Sequence, residues 1–283
     1  MTRLLSEDKV LIAAHRGVAG GNIPCNTLPA FEAALCQGAD IIELDVTRSM
    51  DGQLFVFHPG KEAVFLRTER SIERMESREV ERLPLMNQDQ TPTKYHVPRL
   101  EEALKLLRGR CLINLDKFWM WPEEITALVR ELGMQDQVLI KTDASEQWFR
   151  VVEKIAPDLP YMTIAHERDD VTETLLRRPL RYAGIEAIFT EDSAPIAAED
   201  YLAGMRKAGL FTWANAIVYD DQVLLTAGHT DDLSVAGRPA DGWGWLADRG
   251  FSILQTDWPM ALSQYFKERM LAAKRKEDKH VFI

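Results

Sequence analysis

Short apolar runs alternate with stretches of helical spacing along most of the chain. The first run, Lys9 to Ala14, reads as a strand covered on both faces, because its apolar residues are nearly continuous. Asn26 to Leu35 follows with apolar positions three and four apart, and Asn26 or Thr27 is placed to cap a helix. Ala39 to Val46 predicts a second strand, and Leu54 to Phe57 a short one after the turn Asp51-Gly52. The rhythm then repeats. Strands are expected at Cys111–Leu115, Val138–Lys141, Tyr161–Ala165, Ile185–Thr190, Leu210–Ala214 and Phe251–Thr256. Helices are expected at Pro122–Leu132, Ser145–Ile155, Ile196–Ala208 and around Trp243–Asp248.

About eight major strands alternating with helices over roughly 250 residues is the rhythm of a (β/α)8 TIM barrel, here one domain over residues 1–283. The main competitor is an open doubly wound sheet. No phosphate-cradling glycine loop follows the first strand to support it. Residues 60–98 break the rhythm. They are polar and rich in Glu and Arg, and they read as an insertion after the second strand, a small lobe or lid. Glu69 to Arg82 within it reads as a solvated charge run.

Composition narrows the function. A 46% hydrophobic share is enough for a substantial core and excludes a disordered chain. The net charge of −10 sets the surface against a nucleic-acid partner, so a phosphate-handling site needs local cations or a metal. Cys25, Cys36 and Cys111 have neither metal-type spacing nor the makings of a disulfide framework, which fits a reducing compartment. No apolar run reaches membrane-spanning length, and the opening residues lack the apolar stretch of a signal peptide. Cytoplasm is the expected location.

In a barrel, catalytic groups gather at the carboxyl ends of the strands. Those ends carry His15-Arg16, Glu43-Leu44-Asp45, His58, Asp116-Lys117 and Lys141. Glu43 and Asp45 are two apart on a strand and so share a face. Two carboxylates aimed into a barrel mouth repel unless a cation joins them. A hard divalent ion with Asp116 as third ligand answers that, against a plain ion pair with Arg16 or Lys141. His15 and His58 flank the acids and are candidate proton donors and acceptors near neutral pH. Arg16 offers a planar fork to phosphate oxygens, with a salt bridge as its alternative. Lys141 is favoured as a second phosphate cation over a surface role, although its face depends on register. Strand alternation sends Lys117 to the opposite face unless the strand has already ended. Trp213 and Asn215 are either pocket lining or core and turn residues, and Asp257 is either a loop-fixing cap or a catalytic group. His166 is a candidate pocket neighbour, and His96, His229 and His280 read as surface residues.

The motifs as they stand resemble the glycerophosphodiester phosphodiesterase family. They are His15-Arg16-Gly17, Asn26-Thr27-Leu28-Pro29-Ala30-Phe31, Gly38-Ala39-Asp40-Ile41-Ile42-Glu43-Leu44-Asp45, Asp51-Gly52 and Phe57-His58, then Val97-Pro98-Arg99-Leu100-Glu101-Glu102 and Thr256-Asp257-Trp258-Pro259. The likeness is dense over residues 10–60 and thinner afterwards. It implies a TIM barrel with one divalent cation, Mg2+ or Ca2+, that hydrolyses a small phosphodiester to an alcohol and a phosphomonoester. It also implies His15 and His58 as the acid/base pair, Glu43, Asp45 and Asp116 as metal ligands, and Arg16 at the phosphate. Four positions depart from the family pattern. Cys25 replaces a Glu, Pro59 an Asp and Phe118 a Lys, and Asp116 replaces a Glu with one methylene less reach. Lys141 or Lys117 is placed to restore the missing charge. These departures point to a divergent subgroup and keep two alternatives open: a lyase that releases a cyclic phosphate, and a phosphoester-binding barrel without catalysis. Oligomeric state is not readable from the chain.

Overall fold

The computed structural model describes residues 9–280. Eight parallel strands close into a ring: β1 (Leu11–His15), β2 (Ile41–Arg48), β6 (Leu112–Asp116), β7 (Val138–Asp143), β8 (Pro160–His166), β9 (Arg181–Ile188), β10 (Phe211–Asn215) and β11 (Ile253–Thr256). β1 pairs with both β11 and β2, which shuts the barrel. Three further strands lie outside the ring. β3 (Leu54–Val56) pairs antiparallel with β2, and β4 (Pro84–Met86) with β5 (Pro92–His96) makes a separate hairpin.

Alternation along the strands sorts side chains between two cores. In β2, Ile42, Leu44 and Val46 face outward to the layer under the helices, whereas Ile41 faces inward. Leu11, Ala13, Leu139, Met162, Trp213 and Ile253 join Ile41 to fill the barrel. By the same parity Glu43 and Asp45 face the interior. Register sets Glu43 beside His15 and Asn114, and Asp45 beside Asp116.

The expected elements are present with small shifts. Thr27, not Asn26, caps helix Leu28–Cys36, its side chain accepting from the backbone N–H of Ala30. β9 begins at Arg181, four residues before the predicted start, and carries one extra residue, Ala183, against β8, where Tyr161 pairs with Tyr182 and Met162 with Gly184. Gly184 makes this possible: a Cβ there would sit 1.9 Å from the Phe211 carbonyl oxygen. The expected helix near Trp243 is a π-helical stretch, Ala240–Gly244, that runs into helix Trp245–Arg249.

Residues 60–98 hold short helical turns and the β4–β5 hairpin around an apolar cluster of their own. Leu66, Ile72, Val80, Leu85 and Val97 pack there on Phe55 and Phe57. The reading of Glu69 to Arg82 as a solvated run needs correction, because Ile72, Met75 and Val80 within it are buried. Polar residues outnumber them, which hides three inward positions from a composition count. Asp51 pins this segment to the turn after β2. Its carboxylate accepts from the Ser77 hydroxyl and backbone N–H and from the Ser49 hydroxyl. Those donors bring its pKa down to about 2.

Candidate active site

Neighbouring strands β2 and β6 bring Glu43, Asp45 and Asp116 together. One carboxylate oxygen from each lies within 4.8 Å of the others. Left-handed turns shape the loops around them. After His15 the chain turns at Arg16 (φ 57°) and Gly17 (φ 77°). A Cβ on Gly17 would stand 2.8 Å from the Ala30 carbonyl, so only glycine lets the loop seat on the following helix. The turn aims the Arg16 backbone N–H at Glu43 Oε2 (2.9 Å) and its Nε at Asp45 Oδ2 (2.8 Å). The second contact is an ion pair without hydrogen-bond alignment, since Nε has no bonded acceptor.

Asn26, also left-handed, donates its Nδ2–H to Asp45 Oδ2 at 2.8 Å. The other oxygen, Asp45 Oδ1, is buried with no hydrogen-bond partner. His58 Nε2 lies 3.9 Å from it. Such an orphaned carboxylate oxygen is costly unless a cation meets it. Burial, with Asp45 adding to it, pushes Glu43 up to about 7. Burial also works to raise Asp116, but Lys117 and Lys141 outweigh it and hold its pKa below the usual value.

Both imidazoles use Nδ1 to hold their orientation. His15 Nδ1 is 2.9 Å from Asp257 Oδ1, and His58 Nδ1 is 2.8 Å from the Pro59 carbonyl, which can only accept. Burial lowers the His15 pKa, but Asp257 and Glu43 together lift it above the ordinary value. His58 goes the other way, lowered by burial and by Arg16 and Lys117 against the pull of Asp45. Asp257 is itself steadied, because its backbone N–H donates to Asp231 Oδ2 (2.8 Å). The Tyr219 ring, from the loop after β10, stands edge-on to His15 at 6.2 Å.

The cations differ from expectation. β6 ends at Asp116, and Lys117 turns back in the left-handed region (φ 62°), with its Nζ 2.8 Å from Asp116 Oδ2. Lys141 is buried and paired with Glu186, and it sits 4.1 Å over the Trp213 ring. The expectation of a phosphate cation at Lys141 is therefore corrected: its charge is engaged inside the barrel. Trp213 and Asn215 are floor, not open pocket. Trp213 donates its Nε1–H toward Asn215 Oδ1 and Gln255 Oε1 (3.0 Å each), and Asn215 donates to Glu186 Oε1 (2.7 Å).

Asn26, Glu186 and Asp257 are the residues that sequence reasoning undervalued. Asn26 stands in a recognisable motif, but nothing local points to Glu186. Of the remaining histidines, His166 and His96 are exposed. His229 is not a surface residue as expected: it stacks on Trp245 at 3.7 Å and bonds Asp192 (2.8 Å). The side chain of His280 lies outside the described residues.

A sequence model of the glycerophosphoryl diester phosphodiesterase family matches residues 15–228. The chain belongs to this family. A glycerophosphodiester phosphodiesterase of Bacillus altitudinis is 33% identical over 140 residues, 46% of this chain and 57% of that protein. One from Caldanaerobacter subterraneus is 29% identical over 159 residues, 53% of this chain and 65% of that protein. The chain thus matches about three fifths of the length of these curated relatives. Among solved structures, a glycerophosphodiester phosphodiesterase of Agrobacterium tumefaciens is 27% identical with a TM-score of 0.62, covering 90% of this chain and 99% of that one. A glycerophosphoryl diester phosphodiesterase of Parabacteroides distasonis shares the fold at a TM-score of 0.74 and 18% identity, covering 94% and 90%. The closed eight-stranded barrel is the one these family members share.

Proposed function

We propose that the protein is a metal-dependent phosphodiesterase that cleaves a glycerophosphodiester-like substrate to an alcohol and a phosphomonoester. One arrangement carries the reading: three carboxylates in reach of a single ion, one with an unpartnered buried oxygen, set between two imidazoles. Oxygen-only donors suit a hard cation, Mg2+ or Ca2+. Glu43, Asp45 and Asp116 would hold it, and when bound it supplies positive charge to the phosphoryl oxygens.

The chain's own residues do the rest. Arg16 directs its remaining N–H donors at the phosphate, and Lys117 adds a second charge beside it. Lys141 acts from beneath through Asp116. His58, with Nδ1–H held by a carbonyl, keeps its Nε2 lone pair and takes the proton of the attacking substrate hydroxyl. His15, backed by Asp257, carries a proton and gives it from Nε2 to the departing alcohol oxygen. The bond from phosphorus to that oxygen breaks as the new one forms. Water then opens the cyclic phosphate, with the two histidines exchanging roles.

Asn87 Nδ2 donates to Asn22 Oδ1 at 2.9 Å, tying the β4–β5 hairpin to the loop after β1. This supports residues 60–98 as a cover over one side of the mouth. Three unpaired cysteines support a reducing, cytoplasmic setting, and no helix among the described residues is long and apolar enough to cross a membrane.

The test is a glycerophosphodiester panel with Mg2+, Ca2+ and Mn2+ supplied in turn, read by phosphorus NMR. A phosphomonoester end product is expected. A cyclic phosphate that persists would make the protein a lyase, and no turnover with any ion would leave only a binding barrel.

A further inference from the structure

Between β10 and β11 the chain buries a carboxylate away from the acid cluster. Asp231, the first residue of helix Asp231–Val235, is 2% exposed. Its Oδ1 accepts from Trp243 Nε1 (2.6 Å) and Thr256 Oγ1 (2.7 Å), and its Oδ2 accepts from the Asp257 backbone N–H (2.8 Å). Three donors facing it suit the ionised form. Burial nonetheless pushes its carboxyl up to about 6, against the pull of those donors, and the nearby Asp257 charge adds to the push. Among the described residues no cation pairs with Asp231. A buried charge without an ion partner is a poor stabiliser, so its place in the fold calls for another reason.

A dedicated scaffold holds it. Thr230 caps the helix, and the Asp231 backbone N–H donates to the Ala216 carbonyl just past β10 (2.6 Å). The π-helical stretch Ala240–Gly244 brings Trp243 onto the carboxylate, and the Trp243 backbone N–H donates to Ser234 Oγ (3.1 Å). A Cβ on Gly242 would stand 2.0 Å from that Oγ, so glycine lets the two segments close up. Single π-helical turns recur at functional sites.

This scaffold grips the turn Thr256-Asp257-Trp258. Thr256 Oγ1 donates to Asp231 and accepts the Trp258 backbone N–H (2.9 Å). The Asp257 side chain is 46% exposed, and among the described residues its only hydrogen bond is to His15 Nδ1. With so little packing around it, the aim of that carboxylate depends on where its backbone is held.

We propose that Asp231 is a positioning residue of the active site: by holding the Asp257 backbone it sets the carboxylate that keeps His15 oriented to protonate the departing alcohol. The inference rests on the phosphodiesterase reading, with His15 as its acid.

The experiment uses leaving groups that differ in their need for a proton. Choline leaves as an alkyl alcohol and needs one, whereas 4-nitrophenolate leaves without it. On the metal-supplied enzyme, kcat/KM, which covers the steps up to alcohol release, is compared for glycerophosphocholine and glycerol 4-nitrophenyl phosphate. Asp231→Asn should lose about tenfold to a hundredfold on the first and less than about threefold on the second. His15→Ala should show the same selectivity more steeply. Added to Asp257→Asn, Asp231→Asn should cost less than about threefold more, because both act through one contact. Equal losses on the two esters, losses that multiply in the double variant, or no loss in a folded Asp231→Asn protein would overturn the proposal. Where Asp231→Asn fails to fold by circular dichroism, Trp243→Phe removes one donor and keeps a ring in place. A loss confined to glycerophosphocholine then supports the role, and an equal loss or none overturns it. If His15→Ala slows both esters alike, or the wild type turns over neither, the underlying reading falls and the role of Asp231 falls with it.

Discussion

The two oxygens of Asp45 meet different neighbours. Oδ2 is bonded by Asn26 and paired with Arg16, while Oδ1 is buried without a partner. Glu43 and Asp116 stand alongside, and burial, with the Asp45 charge adding to it, holds Glu43 at about 7. The folded pKa lies above the unfolded one, so the metal-free fold binds the extra proton. Glu43's contribution to stability is therefore largest below pH 4.5 and is lost as pH rises to about 7, at a cost on the order of 3 kcal/mol. Thermal unfolding of the metal-free protein at pH 5 and pH 8 should show this slope, and Glu43→Gln should remove it. The same proton competes with the ion, so calorimetry should find weaker divalent binding at pH 6 than at pH 8. Replacing His15 or His58 with Ala should lower kcat by on the order of 10²–10⁴ with the fold intact by circular dichroism. Asp257→Asn should cost about tenfold to a hundredfold in kcat with KM little changed, and Asp257→Glu should restore part of it. At this scale the chain was readable wherever residues lie close in sequence. Glu43 and Asp45 could be set on one face from their spacing alone. The pairs His15–Asp257 and Lys141–Glu186 could not, because residues 242 and 45 positions apart meet only through the ring.

Strand periodicity told which side chains of β2 face inward, and the helices followed from their caps and spacing. Loop direction was harder to read, because it depends on single left-handed residues. Lys117 reaches Asp116 because the backbone turns at φ 62°, a conformation that its residue type does not announce. Gly17 is the clearer case. Gly17→Ala should destabilise the protein by roughly 1–3 kcal/mol, since it adds both backbone strain and a clash with the Ala30 carbonyl. Chemical denaturation measures that cost. The insertion depends on another local device, the Asp51 clamp on Ser77. Asp51→Ala should speed amide hydrogen exchange through residues 60–98 while leaving the barrel strands protected. Because Asp51 is held near pKa 2, its grip should persist down to mild acid and loosen only as pH falls through that value.

The whole barrel was legible from the count and rhythm of its strands, while the partition of its interior was not. Apolar residues fill the barrel around Trp213, and a polar layer of Lys141, Glu186, Asn215 and Gln255 lies among them under the acids. No local pattern distinguishes such a floor from a solvent-facing pocket, so Trp213 and Asn215 stayed ambiguous until the strands were placed. An ion bound by the native state alone also stabilises the whole molecule. A divalent cation at a thousandfold its Kd should add about 4 kcal/mol, seen as a rise in Tm that a chelator reverses and Asp45→Ala abolishes.

The ring is sealed by β1 lying between β11 and β2. A nascent chain that has emerged only as far as residue 250 already owns all three acids, both imidazoles and the guanidinium. It lacks the staff that finally shuts the stave-work, and with it the carboxylate that steadies His15. Closure thus waits on β11, so a polypeptide cut short before that strand would have these side chains in hand without the ring that brings them together.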